Sequence, residues 1–224
     1  MKHLALFCIL FTGCATVAPK ATNTDTKDPF ADIMALMDNV PVVKETTPPC
    51  LSNGCTFNVF EEIDDDMAKD FSKWMDSAKN NGVTLVDIKI NSPGGSVDAG
   101  YSMARKMEGL DKQGVKSNCT VDGTAASMAF SILQSCTYRY MTARSTLMTH
   151  QEKVGSKAGH MMTEGQLQDA ANMVHADNIA SAAHCVHRMK ITVQEFLDKV
   201  NNKEWWITAD EALKVGAVDQ IVKF

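Results

Sequence analysis

Val121-Asp122-Gly123-Thr124-Ala125-Ala126-Ser127-Met128-Ala129-Phe130 places one serine among small residues where an extended segment gives way to a helix. The preceding run, Gly114 to Val121, reads as a strand, and Ala125 to Leu133 has the Ala, Met and Leu content of a helix. A serine on such a turn holds its hydroxyl near main-chain N–H groups that lack helical partners and can stabilise an anion. That suits a nucleophile whose attack creates an oxyanion. The same residues also fit a plain helix-start serine whose small neighbours serve close packing, so the rest of the chain has to decide.

Two flanking stretches bear on it. Downstream, Tyr138 to Thr142 and Thr146 to Thr149 read as strands, and His150 follows at the end of the second, where it can be delivered to a serine hydroxyl. Upstream, Thr84 to Ile90 is a strand with partial alternation that runs into Asn91-Ser92-Pro93-Gly94-Gly95-Ser96-Val97. The paired glycines permit backbone geometry and close approach that a side chain forbids, so their N–H groups can face a substrate carbonyl.

Together these stretches resemble the ClpP family, the proteolytic subunits of Clp proteases. Asn91 to Val97 matches the family's glycine-rich turn, Gly123 to Met128 its nucleophile motif and Met148-Thr149-His150-Gln151 its histidine motif. Ile207 to Ala212 with Gly216 to Asp219 looks like its C-terminal end. The resemblance implies an α/β fold, the ClpP/crotonase-like spiral of βαβ units with right-handed crossovers. It also implies a serine endopeptidase acting on a peptide or protein substrate, as a homo-oligomer and with no metal or other cofactor. His150 takes the proton from Ser127, and the N–H groups of Met128 and of Gly94 or Gly95 hold the oxyanion.

The group that orients His150 is where this chain departs from the family. The family uses an aspartate at the end of the helix before the C-terminal segment, and counting back from Thr208-Ala209 puts Val200 there. Asp198 is the favoured replacement because a carboxylate stabilises an imidazolium better than an amide does. Asn202 and Asn201 are the alternatives, and a Ser-His dyad is a third. Two rival functions stand beside the peptidase: a non-catalytic ClpP-fold assembly or binding protein, and a signal-peptide-peptidase-like protease with a lysine base, against which His150 argues.

Composition frames the rest. The chain has 224 residues, 45% of them apolar and 22% charged, which suits one sizeable domain plus an appendage. A net charge of −5 with no basic run excludes a nucleic-acid footprint. Residues 1–14 have the shape of a signal peptide of the lipoprotein type: Met1-Lys2-His3 is a basic start, Leu4 to Phe11 is apolar, and Phe11-Thr12-Gly13-Cys14 resembles a lipobox with Cys14 as the lipidated residue. Residues 15–49 read as a polar tether carrying one short helix around Phe30 to Met37, and residues 50–224 as the peptidase domain. The expected location is the cell envelope, anchored to the membrane through Cys14, with a cytoplasmic protein as the alternative. The resemblance implies an ATPase partner, but export leaves no hydrolysable ATP, so the enzyme is expected to work without one.

The seven cysteines point the same way. Cys50 and Cys55 flank a turn-forming sequence, Cys119 and Cys136 bracket the Ser127 turn and its helix, and Cys185 is the odd one out. Five buried thiols are the alternative. Asp64-Asp65-Asp66 is expected to favour a helix start rather than bind a metal. A long helix is predicted from Thr163 to about Arg188, with Leu167, Ala170, Met173, Val174, Ile179, Ala182, Ala183 and Val186 on one apolar face. On that helix His175, His184, Cys185 and His187 are read as solvated helix residues in preference to metal ligands, for want of a third ligand.

Overall fold

Alternation builds the first unit. Strand β1 (Thr56–Ile63) turns Phe57, Val59 and Ile63 inward, and helix α1 (Asp65–Asn80) covers them, with Phe57 edge-on to Phe71 at 5.0 Å and 5.3 Å from Trp74. The helix begins where the acids predict: Asp64 accepts the Met67 N–H at 2.7 Å, and Asp65 and Asp66 fill the first turn. The computed structural model describes residues 55–152 and 163–223. The expected signal peptide, Cys14, the tether with its short helix, Cys50 and the loop following Glu152 lie outside the described residues.

Strand β2 (Leu85–Gly95) runs parallel to β1, and after helix α2 (Val97–Asp111) strand β3 (Lys116–Ala126) runs parallel to β2. β3 then serves two neighbours. Its first part pairs with β4 (Tyr138–Thr142), and Thr124 to Ala126 pair with β5 (Thr146–Thr149), both parallel. Helix α3 (Met128–Gln134) connects β3 to β4. Helices α4 (Glu164–Val186) and α5 (Val193–Val200) follow, then β6 (Trp205–Thr208), antiparallel to β5, helix α6 (Ala209–Val215), and β7 (Gln220–Val222) beside β4. The order β1-β2-β3-β4-β7, with β5 and β6 branching from β3, is the mixed α/β arrangement of parallel strands and alternating helices that the sequence predicts. The functional stretches all lie at carboxyl ends of strands, where open parallel sheets bind ligands.

Two expectations change. The glycine-rich stretch is not a turn: Glu62 pairs with Gly94 and Ile63 with Gly95, so β2 stays extended and laddered to β1 beyond a bulge between Phe60 and Glu62. Its two-residue phase persists as well, with Val86, Ile88, Ile90, Ser92 and Gly94 all buried. The apolar face predicted on α4 is present but largely uncovered among the described residues. Leu167, Met173 and Ile179 are 56%, 59% and 41% exposed, and only Ala182, Cys185 and Val186 are buried. A 23-residue helix is about 35 Å long, and only its last turns reach the sheet-packed layer. There His184 is half-buried rather than solvated: its Nε2 lies 3.1 Å from Ser135 Oγ and 3.2 Å from the Ser131 carbonyl, and its Nδ1 lies 3.8 Å from Glu108.

One ion pair crosses from β4 to the segment before β7. Arg139, 2% exposed, donates to Asp219 at 2.6 Å and to Gln134 Oε1 at 2.7 Å, and Arg188 reaches Asp219 from the far end of α4. Burial pushes the Asp219 carboxyl up, but the hydrogen bonds and charge of Arg139, with Arg188, outweigh it and hold the group below its usual range.

Cys119 on β3 and Cys136 just past α3 form a disulfide, Cα atoms 6.0 Å apart, while Cys185 is a free buried thiol that burial pushes up to about 12. Cys55 is disulfide-bonded too. The Cys119–Cys136 bond closes the chain around the Ser127 turn with a sequence separation of 17. Loop-closure entropy for that span is worth about 3 kcal/mol. Replacing both cysteines by alanine is expected to lower urea unfolding stability by about that much; unchanged stability would show that the bond does not brace this segment.

Candidate active site

The site begins with a backbone conformation. Ser127 has φ 53° and ψ −119°, a region that L-residues enter at a cost of about 1–3 kcal/mol. Two sets of main-chain bonds hold it there. Its N–H donates to the Met148 carbonyl at 2.8 Å, and its carbonyl accepts from Phe130 and Ser131. The hydroxyl is spent on neither, since Ser127 makes no side-chain cap bond at the start of α3. The turn therefore displays a half-buried hydroxyl between strand and helix.

The bond to Met148 also fixes what lies beside it. Ala126 pairs with Met148 at the ends of parallel strands β3 and β5, so Ser127 and His150 follow neighbouring strands at the same end of the sheet. His150 is half-buried, and its Nδ1 lies 2.5 Å from the Gln151 carbonyl oxygen. A carbonyl only accepts, so Nδ1 carries the proton and Nε2 presents a lone pair.

On the third side is Gly94, with φ +99°. A Cβ built there would lie 2.7 Å from the Ala126 oxygen, 2.8 Å from Ser127 Cβ and 2.9 Å from the Met128 nitrogen, so only glycine lets β2 press against the serine turn. The neighbouring Gly95 is pressed against Ile63 of β1 instead. The Gly94 N–H donates to Ser92 Oγ at 3.2 Å, and Ser92 in turn donates to the Glu61 carbonyl. The structure thus brings Ser127, Met128 and Gly94 into contact, with His150 at the adjoining strand end.

Asp198 is not brought in. It is exposed, and its carboxylate accepts from Gln194 at 2.8 Å along α5. The reason is helix phase: two residues turn a helix by about 200°, so Asp198 lies opposite Val200, which is 2% exposed and faces a hollow beside His150. That hollow is lined by His150, Gln151, Glu152, Val200, Asn202, Lys203 and Glu204. The Asn202 N–H donates to Gln151 Oε1 at 3.2 Å and its side-chain amide to Asn201 Oδ1 at 3.1 Å. Asn201 itself is exposed.

Glu152 is the residue that sequence reasoning passed over. Its N–H donates to Asn178 Oδ1 of α4 at 2.8 Å. Burial pushes its carboxyl up and the nearby Asp177 pushes it further, while the charge of His150 pulls it down. Tyr101 of α2 shares this neighbourhood: burial raises its hydroxyl, a hydrogen bond with Ser181 opposes that, and Cys185, Glu152 and Asp177 add to it. Among the described residues no cluster of three metal-ligating side chains forms, and no helix is long and apolar enough to cross a membrane.

Comparison with known proteins gives one family. The Clp protease family model matches residues 50–224. The ATP-dependent Clp protease proteolytic subunit 1 of Chlamydia abortus is 31% identical over 171 residues, covering 72% of this chain and 83% of its own length. The ATP-dependent Clp protease proteolytic subunit of Porphyromonas gingivalis is 33% identical over 146 residues, covering 62% of this chain and 60% of its own length.

Proposed function

We propose that this chain, which belongs to the Clp protease family, is an exported serine endopeptidase with Ser127 as nucleophile and His150 as general base. The observation that supports it most is the Ser127 N–H bond to Met148, which ties a strained serine turn to the strand that ends at His150. His150 Nε2 takes the Ser127 Oγ proton as Oγ bonds to the scissile carbonyl carbon, and returns it to the leaving amine. Water then hydrolyses the acyl-enzyme by the reverse route. The Met128 N–H is one oxyanion donor. The second is Gly95: the ladder to β1 takes the Ser96 N–H, so strand alternation turns the Gly95 N–H to the opposite side, while that of Gly94 is engaged by Ser92.

The peptidase reading is tested with a fluorophosphonate probe on the full chain. Labelling that disappears in Ser127→Ala supports it; a folded wild type that does not label overturns it in favour of an assembly or binding protein.

Unlike its relatives, whose names call them ATP-dependent, this enzyme works without an ATPase. The Cys119–Cys136 disulfide and the disulfide-bonded Cys55 support an oxidising compartment, in line with the signal-peptide shape of residues 1–14 and a lipid on Cys14. Homo-oligomerisation is supported by the exposed Leu167, Met173 and Ile179 of α4. Fractionation is expected to find the protein in the envelope, with turnover of an unfolded protein substrate unchanged by added ATP. Protein confined to the cytosol would restore an unfoldase as partner.

A further inference from the structure

We propose that Glu152 supplies the negative charge that steadies the His150 imidazolium, making it a positioning residue two places beyond the histidine it serves. This rests on the Ser-His reading above and deepens it. An imidazole base needs two things from its surroundings: a hydrogen bond that fixes its tautomer, and a counter-charge for the imidazolium that forms. Here they are divided. The Gln151 carbonyl bonds Nδ1 and fixes the tautomer, but as a neutral group it gives no full counter-charge.

Three observations put Glu152 in the second role. It lines the same hollow as His150. It is held from α4, where Asn178 Oδ1 takes its N–H at 2.8 Å, so its backbone has a fixed place against the site. A charged His150 ring favours its ionised carboxylate, against burial and Asp177. Of the alternatives, Asp198 is turned to Gln194, and Asn202, which lines the hollow and donates its side-chain N–H to Asn201, is neutral and supplies no counter-charge. Asp177 from α4 and Tyr101 from α2 act on Glu152 or are acted on by it electrostatically, and Lys203 and Glu204 from beyond α5 line the same hollow. Glu152 stays ionised throughout the reaction, and the only proton that moves is the one passed between Ser127 Oγ, His150 Nε2 and the leaving amine. Burial and Asp177 push the Glu152 carboxyl up, and the charge of His150 opposes them, so the imidazolium itself favours the ionised carboxylate.

The test is the pH profile of kcat/KM on a fluorogenic peptide, using the full chain. Glu152→Gln is expected to lower kcat about fivefold with KM little changed, and to move the acid limb down by roughly half to one pH unit, because the imidazolium loses its counter-charge. Glu152→Asp, which keeps charge and main-chain clamp, is expected to restore most of both. An acid limb that stays in place in Glu152→Gln overturns the proposal, as does a Glu152→Asp limb that moves as far as the amide's. Should Glu152→Gln not fold, Asn178→Ala replaces it: releasing the clamp is expected to shift the limb in the same direction, and an unmoved limb overturns the proposal equally. Ser127→Ala run alongside separates the two claims. Wild-type turnover there removes the peptidase reading itself; an inert Ser127→Ala beside an unmoved Glu152→Gln limb removes only the role of Glu152.

Discussion

Ser127→Ala is expected to lower kcat/KM by about 10⁴-fold or more while leaving stability within about 0.5 kcal/mol of wild type. The two halves of this prediction come from different features. Activity falls because no other group at the turn can form the acyl bond, and what remains is catalysis by the oxyanion donors and by binding alone. Stability holds because the hydroxyl caps nothing, and because alanine at φ 53° bears much the same strain as serine. The measurements are peptide turnover and urea unfolding on the same preparation. Retained turnover would exclude Ser127 as nucleophile, and a large loss of stability would give its hydroxyl a structural role that the observed contacts do not explain.

Gly94→Ala is expected to cost both activity and stability. The added methyl meets the Ala126 oxygen at 2.7 Å, Ser127 Cβ at 2.8 Å and the Met128 nitrogen at 2.9 Å, and none of these is the flexible end of a side chain. Relief therefore requires β2 and the serine turn to part. With the φ of +99° added, the expected loss of stability is about 2–4 kcal/mol. A displacement of roughly an ångström between nucleophile and oxyanion donors costs about 10²-fold in kcat. Gly82→Ala is the control, having a φ of +72° but nothing within 4 Å of the new methyl. It is expected to lose about 1 kcal/mol and no activity. If Gly94→Ala behaves like Gly82→Ala, the close packing of β2 on the serine turn has no part in catalysis.

The parts of the fold that were legible in the sequence are those where side chains declare a face. Val86, Ile88 and Ile90 mark a strand by alternation, and Asp64 marks a helix start by its position. The Ser127 turn could be found because its small residues and its place between strand and helix are themselves the signal. Gly94 and Gly95 were read as a turn because glycine has no side chain with which to show strand phase, and only the pairing with Glu62 and Ile63 keeps them extended. The apolar face of α4 is legible from its periodicity, but periodicity reports a face without saying what covers it. Asp198 was favoured on charge alone, but a rotation of about 200° between it and Val200 decides which of the two sees His150. Glu152 could not be singled out at all, because its place depends on Asn178, which is separated from it by 26 residues.

The ion pair between Arg139 and Asp219 bears on the order in which the chain can acquire its structure during synthesis. The two residues are separated by 80 positions, and β4 cannot seal its outer side until residue 219 has been made. Until then Arg139 is a guanidinium destined for a nearly water-free place without its carboxylate, a situation that typically costs about 3–5 kcal/mol. Parallel pairing across such a span is slow in any case, because the loop must close before the contact is gained. A nascent chain that already contains both Ser127 and His150 is thus still an open sheet. Translation past residue 219 is what lets β7 close the outer side of β4 and gives Arg139 its carboxylate.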